Sequence, residues 1–171
     1  MTPDTTAPTV SFTVPANSAT GVPINQTINA TFSEAMDPLT INTASLLLRG
    51  PGTTAVTGIV AYDVPSKIAT FKPVSNLAPN TVYTATITTA VRDLAGNALG
   101  ANFVWSFTTG VSADTTAPTV SFTVPANAAT AVPINQTINA TFSEAMDPLT
   151  INTASLFLRG PGTTAVTGIV A

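Results

Sequence analysis

The side chains able to do chemistry in this chain are few and mostly of one kind. Eight carboxylates, Asp4, Glu34, Asp37, Asp63, Asp93, Asp114, Glu144 and Asp147, stand against five cations, and the 171 residues contain neither His nor Cys. Without Cys there are no disulfides, thiolate metal sites or thiol nucleophiles, and the redox compartment stays open. Without His the commonest general base and transition-metal ligand are gone. Glu34 and Asp37 form a carboxylate pair in a Pro-containing loop, with no base, phosphate cradle or nucleophile motif beside them, so no enzyme is expected. Oxygen ligands suit a hard cation such as Ca²⁺, which takes roughly six to eight of them. The same residue types also cap turns through side-chain to backbone hydrogen bonds. Both readings stand for these acids.

The elements that must position them occur twice. Asp4 to Ala61 returns as Asp114 to Ala171, and over those 58 positions only Ser18/Ala128, Gly21/Ala131 and Leu47/Phe157 differ. A period of 110 residues is too long for a solenoid repeat or a propeller blade and matches one small β-sandwich. The expected organisation is a complete domain over residues 4–110, a linker over 111–115, and over 116–171 the first half of a second domain, cut from a longer protein. Charged residues make up only 8%, against about 25% in an average domain, so Thr, Asn, Ser and Pro must form the surface; Thr suits strands. A net charge of −3 with no basic cluster excludes nucleic acid. No apolar run approaches the roughly 20 residues of a membrane helix, and the N-terminus lacks the parts of a signal peptide.

Alternation of apolar and polar residues predicts seven strands at sandwich spacing. Strand A carries Val10, Phe12 and Val14 inward; B runs to Phe32; C covers Leu46–Arg49; D covers 55–62; E places Ala69 and Phe71 inward. F carries Tyr83, Ala85 and Ile87, and G carries Phe103, Trp105 and Phe107 in phase. Trp105 is therefore expected in the core, leaving Tyr62 as the outward aromatic. Tyr83, six residues after Leu77, has the spacing of a tyrosine corner. Seven alternating strands enter at one pole and leave at the other. Asp4, Glu34, Asp37, Asp63 and Asp93 then share the N-terminal pole with Lys67 and Arg92, while Arg49 and Lys72 lie at the far pole. Residues 110–114 span at most about 14 Å, short of a sandwich length of roughly 30–40 Å. The second copy therefore cannot replace the first, and it should expose Val120, Phe122, Ile138, Phe142 and Phe157. Such faces invite strand exchange between chains.

Four segments in order, 31–38 (TFSEAMDP), 69–73 (ATFKP), 92–97 (RDLAGN) and 105–109 (WSFTT), resemble the bacterial Ig-like domain of the surface-layer-protein type. The resemblance implies an immunoglobulin-like antiparallel β-sandwich, without catalysis, in tandem arrays of secreted or surface-anchored bacterial proteins. Its partners would be neighbouring repeats of the same chain. The expected function is a stalk or spacer of an adhesin-like protein, the alternative being a carbohydrate- or protein-binding module on the same scaffold. Some tandem bacterial Ig-like proteins stiffen their junctions with Ca²⁺; here Asp114, Glu144 and Asp147 would line such a junction, with Asp4, Glu34, Asp37, Asp63 and Asp93 as the module-one set.

Overall fold

The computed structural model describes residues 3–170, which divide into a first unit ending at Asp114 and a second beginning at Thr115. In the first unit the alternating segments become β1 (Val10–Val14), β2 (Ala19–Val22), β3 (Ile28–Phe32), β4 (Leu46–Arg49), β5 (Gly58–Asp63), β6 (Ile68–Pro73), β7 (Val82–Ile87) and β8 (Phe103–Thr109). They form two four-stranded sheets, ordered β1-β3-β6-β5 and β2-β8-β7-β4. Every pairing is antiparallel except β2 with β8. The fold is an immunoglobulin-like sandwich, with Ile28, Ala30 and Phe32 of β3 facing Tyr83, Ala85, Ile87, Trp105 and Phe107 of β7 and β8 in one buried core. Trp105 is 2% exposed and its ring lies 5.6 Å from that of Phe103. The tyrosine corner is present: the Tyr83 hydroxyl accepts from Ala78 N at 2.9 Å, and its ring stacks on Phe107.

Strand A is β1, and after it the structure has a strand that the alternation does not predict, β2, in the other sheet. β1 pairs with β3, and after Pro15, which has no N–H to give a ladder, β2 runs beside β8. A bulge inside β1 also changes its phase: the register advances two residues from Val10 to Phe12 while the partner moves one, from Phe32 to Thr31. Phe12 is thereby 62% exposed and Thr13 takes the buried place, contrary to the alternation. Period two counts residues, whereas a bulge alters which residues are paired. Tyr62 also departs from expectation. Its register partner on β6 is Ala69, on the inner face, so the ring meets Phe32 edge-on at 6.2 Å and the hydroxyl accepts from Met36 N at 2.8 Å.

In the second unit the same front-half sequence makes β9 (Val120–Val124), β10 (Asn139–Phe142), β11 (Leu158–Arg159) and β12 (Ala165–Val166). Among the described residues, the pairs β9–β10 and β11–β12 are the strand pairings of this unit. Local bonds repeat almost unchanged. Asp37 Oδ1 accepts from Leu39 N at 3.0 Å and Asp147 Oδ1 from Leu149 N at 3.1 Å; Ser45 Oγ and Ser155 Oγ each accept from the Asn three residues before them at 2.9 Å. What differs is everything that β6, β7 and β8 supply in the first unit. Ile28 is 1% exposed and its counterpart Ile138 42%. Residues 129–132 form no strand, although Ala19–Val22 do. Ala131 there holds φ +55° where Gly21 holds +69°, a left-handed conformation that costs an L residue about 1–2 kcal/mol.

Val120, Phe122, Ile138 and Phe157 are exposed as anticipated, whereas Phe142 is half-buried. β9 pairs with β10 in the bulged register of β1 with β3, and that hairpin gives Phe142 partial cover. Exposure of Phe122 owes nothing to a missing partner, since its counterpart Phe12 is equally exposed in the complete sandwich.

Gly58 gives a direct measure of the difference between the units. A Cβ there would lie 2.3 Å from Phe71 Cζ and 2.9 Å from the Lys72 carbonyl oxygen, whereas a Cβ at Gly168 would meet nothing within 4 Å. Gly58→Ala should therefore destabilise the chain by about 1–3 kcal/mol, and Gly168→Ala should be near neutral, as read from chemical denaturation. Equal effects of the two substitutions would contradict this packing.

Candidate functional site

The acidic pole of the first unit is built on Asp93. The loop after β7 folds back on this carboxylate: Oδ1 accepts from Ala95 N and Asn97 N, and Oδ2 from Asn97 Nδ2, all at 2.8 Å. Gly96 takes φ +92° at the turn, a conformation that Gly adopts without steric cost, and Arg92 Nη1 donates to the Gly96 carbonyl at 2.8 Å. Asp37 N donates to the Arg92 carbonyl at 2.8 Å, and a bridge between Met36 and Asp93 ties this loop to the one after β3. Asn97 Nδ2 also reaches the Asp4 carbonyl at 3.2 Å. The three nearby carboxylates, Asp4, Glu34 and Asp93, thereby each bring an oxygen within 4.8 Å of the others.

Their electrostatics are opposed. Burial pushes the Glu34 carboxyl up from its ordinary value, the charges of Asp4 and Asp93 push it further, and Lys67 pulls back. For Asp93 burial also acts upward, but the hydrogen bonds from Asn97, Ala95 and Gly96 together outweigh it and hold the group below its ordinary value. Asp93 is thus a structural anion, and Glu34 is the member of the cluster that carries repulsion.

Of the other acids expected at this pole, Asp37 and Asp63 are used locally. Asp37 caps the short turn Pro38–Thr40, and Asp63 Oδ2 accepts from both Ser66 N and Ser66 Oγ. Turn capping accounts for Asp37 and Asp63 and also engages Asp93 and Asp4, whose Oδ1 accepts from Thr6 N at 2.9 Å, so the cation-competent set narrows to Glu34 and the remaining capacity of Asp4 and Asp93. Such a set fits a hard cation only with further oxygens, because three carboxylates fall short of the usual roughly six to eight ligands. In the second unit Asp147 is a turn cap, as Asp37 is.

Asp114 is placed by a feature that residue-type reasoning did not single out. Its N–H donates to Asn25 Oδ1 and its carbonyl accepts from Asn25 Nδ2, both at 2.9 Å, while Ile24 N donates to the Ser112 carbonyl at 3.2 Å. Nothing in the local sequence distinguishes Asn25 as an amide that will clasp backbone 89 residues away. Stacking platforms for sugar rings are scarce, since Trp105 is buried and the Tyr62 and Tyr83 hydroxyls are both engaged; Phe12 is the exposed aromatic of the first unit.

A family model described as bacterial Ig-like domain matches residues 4–109 and again 114–171. Among solved structures, CopC from Methylosinus trichosporium OB3b is similar at TM-score 0.52 and 12% identity, over 64% of this chain and 99% of that one. PcoC, a methionine-rich copper resistance protein from Escherichia coli, is similar at TM-score 0.51 and 18% identity, over 61% and 99%. Domains 1–6 of the surface layer protein SbsC are similar at TM-score 0.50 and 19% identity, over 69% of this chain but only 16% of that one. At these identities the likeness is one of fold. No curated protein sequence matches the chain.

The opposed shifts at this pole have a definite sign. Glu34 has a raised folded-state pKa, so its ionisation costs stability above that pKa, and the cost disappears as pH falls through it. Asp93 has a lowered one, so its contribution is present above the ordinary Asp value near 3.8 and is lost as pH falls through the depressed value. Glu34→Gln should raise the melting temperature at neutral pH, with the gain vanishing in acid. Asp93→Asn should lower it at neutral pH, with the difference closing only in stronger acid. Melts of the three proteins across the acid range check both signs.

Proposed function

This chain belongs to the bacterial Ig-like domain family, and we propose that it serves as a non-catalytic spacer in a tandem-repeat, adhesin-like stalk on or outside the bacterial surface. The observation that carries the reading is the path of the backbone through the first unit. β1 and β2 both run toward the pole at which β8 ends, because β2 is parallel to β8. Asp4 lies at one pole against Asn97, whereas Gly110 lies at the other, its N–H donating to the Val22 carbonyl at 2.7 Å. A module that admits the chain at one end and releases it at the other adds its whole length to an array. Asn25 supports the same reading, since its clasp on Asp114 keeps the released segment against the module instead of leaving it a free tether. The family match and the likeness to surface-layer domains favour an extracytoplasmic address.

A hard divalent cation at the acidic pole is a second reading, favoured by the mutual approach of Asp4, Glu34 and Asp93. It would offset the repulsion from Asp4 and Asp93 that adds to burial in raising the Glu34 pKa. Small-angle scattering on one to four copies of residues 4–113 joined head to tail tests the spacer. Maximum dimension should rise by about one sandwich length, roughly 30–40 Å, with each copy, and a dimension that saturates after the second copy would overturn the proposal. Melts of the same proteins in millimolar calcium and in chelator decide the cation: coincident curves remove it.

A further inference from the structure

In the first unit the segment after β1 and the segment that ends the module run side by side in the same direction. Ser106 N donates to Asn17 Oδ1 at 3.1 Å, and Ser18 N donates to the Ser106 carbonyl at 2.7 Å. Ala19 and Val22 then pair with Phe107 and Thr109. Gly110 N donates to the Val22 carbonyl at 2.7 Å and Ile24 N to the Ser112 carbonyl at 3.2 Å. The two bonds between Asn25 and Asp114, both at 2.9 Å, close the row. We infer that this parallel lacing of residues 17–25 to residues 106–114 is the mechanical clamp of the module, the element that resists tension along an array. The tension itself rests on the spacer reading; the geometry of the clamp does not.

Direction decides how these bonds are loaded. The chain enters at the pole of Asp4 and leaves at the pole of Gly110. Tension therefore draws residues 17–25 back toward the entry pole through β1, and draws residues 106–114 outward at the exit pole. Parallel strands pulled in opposite directions along their own axes slide as one, so their cross bonds must fail together. Strands drawn apart sideways from one end lose the same bonds singly.

Two glycines let the strands fit. Gly21 holds φ +69°, and a Cβ there would meet nothing within 4 Å, so the strain that Ala would bring is conformational. A Cβ at Gly110 would lie 3.1 Å from the Gly21 carbonyl oxygen, so the bare backbone of Gly110 permits the close approach. Of the three positions at which the two copies differ, Ser18/Ala128 and Gly21/Ala131 fall in this segment. A sandwich with Ala in the place of Gly21 has a weaker clamp, and the repeats of an array are thereby graded in the tension at which they yield.

The chain contains no Cys, so paired thiol handles can be placed uniquely in the full chain. Thr5→Cys with Thr115→Cys loads the first unit from pole to pole. Thr5→Cys with Ala101→Cys instead pulls on the start of β8, at the entry pole. At equal constant force in a single-molecule trap, the first unit should unfold at least about tenfold more slowly in the pole-to-pole geometry. Gly21→Ala should speed pole-to-pole unfolding about tenfold. Asn25→Ala should speed it about fivefold or more and leave the Ala101 geometry unchanged, because its bonds lie at the far end of the row. Asn25→Ala also serves where Gly21→Ala lowers the melting temperature too far for the measurement. Equal rates in the two geometries, or pole-to-pole rates that neither substitution moves, overturn the clamp. Either result leaves the end-to-end path and its scattering test intact, so the clamp and the spacer reading fail separately.

Discussion

One constraint governs this structure: the apolar face of residues 4–61 is buried only by the cover that residues 62–110 bring to it. The buried core draws Val22, Ile28, Phe32, Met36, Leu46 and Leu48 from the front and Phe71, Tyr83, Ile87, Trp105 and Phe107 from the back. Neither half owns a core. The second unit makes the point within the same molecule, because its residues are nearly those of the front half and lack only the cover. Turns, caps and the β9–β10 pair persist there, since every partner they need lies within the front half itself. Strands whose partners come from the back half are shortened or lost. Local propensity thus sets the turns, and nonlocal pairing sets the sheets.

The same division explains what the sequence disclosed. β3, β4, β6, β7 and β8 were legible because none of them is bulged and their apolar residues alternate onto the core face, so Ile28, Ala69, Tyr83 and Trp105 fall where alternation puts them, although Thr70 on the other face of β6 is buried too. The tyrosine corner was legible because Leu77 and Tyr83 lie close in sequence. Phe12 and Tyr62 were misread for a shared reason: their orientation is fixed by register against another strand, through the β1 bulge in one case and the pairing with Ala69 in the other. No period within a single strand contains that information.

The acidic pole was legible in outline. Strand direction alone brings Asp4, Glu34 and Asp93 together, and the structure places them so. It does not say that Asp93 is consumed by its own loop, that Asp37 and Asp63 are consumed by theirs, or that Glu34 is left carrying the repulsion. Those assignments depend on which N–H groups lie within reach of each carboxylate. The paired role of Asn25 with Asp114, and of Asn97 with Asp4, likewise comes from loops meeting across the module. Both amides hold the chain where it leaves or enters a module, which is where a spacer gains from order.

The most direct measurement is residue-resolved amide exchange of the full chain at matched positions of the two copies, Ala30 against Ala140 and Phe32 against Phe142. If the back half confers stability, the first copy exchanges only through global opening, while the second exchanges close to the rate of an unstructured chain outside its local turns. Equal, strong protection of both copies would show that the front half folds without its cover and would contradict the account.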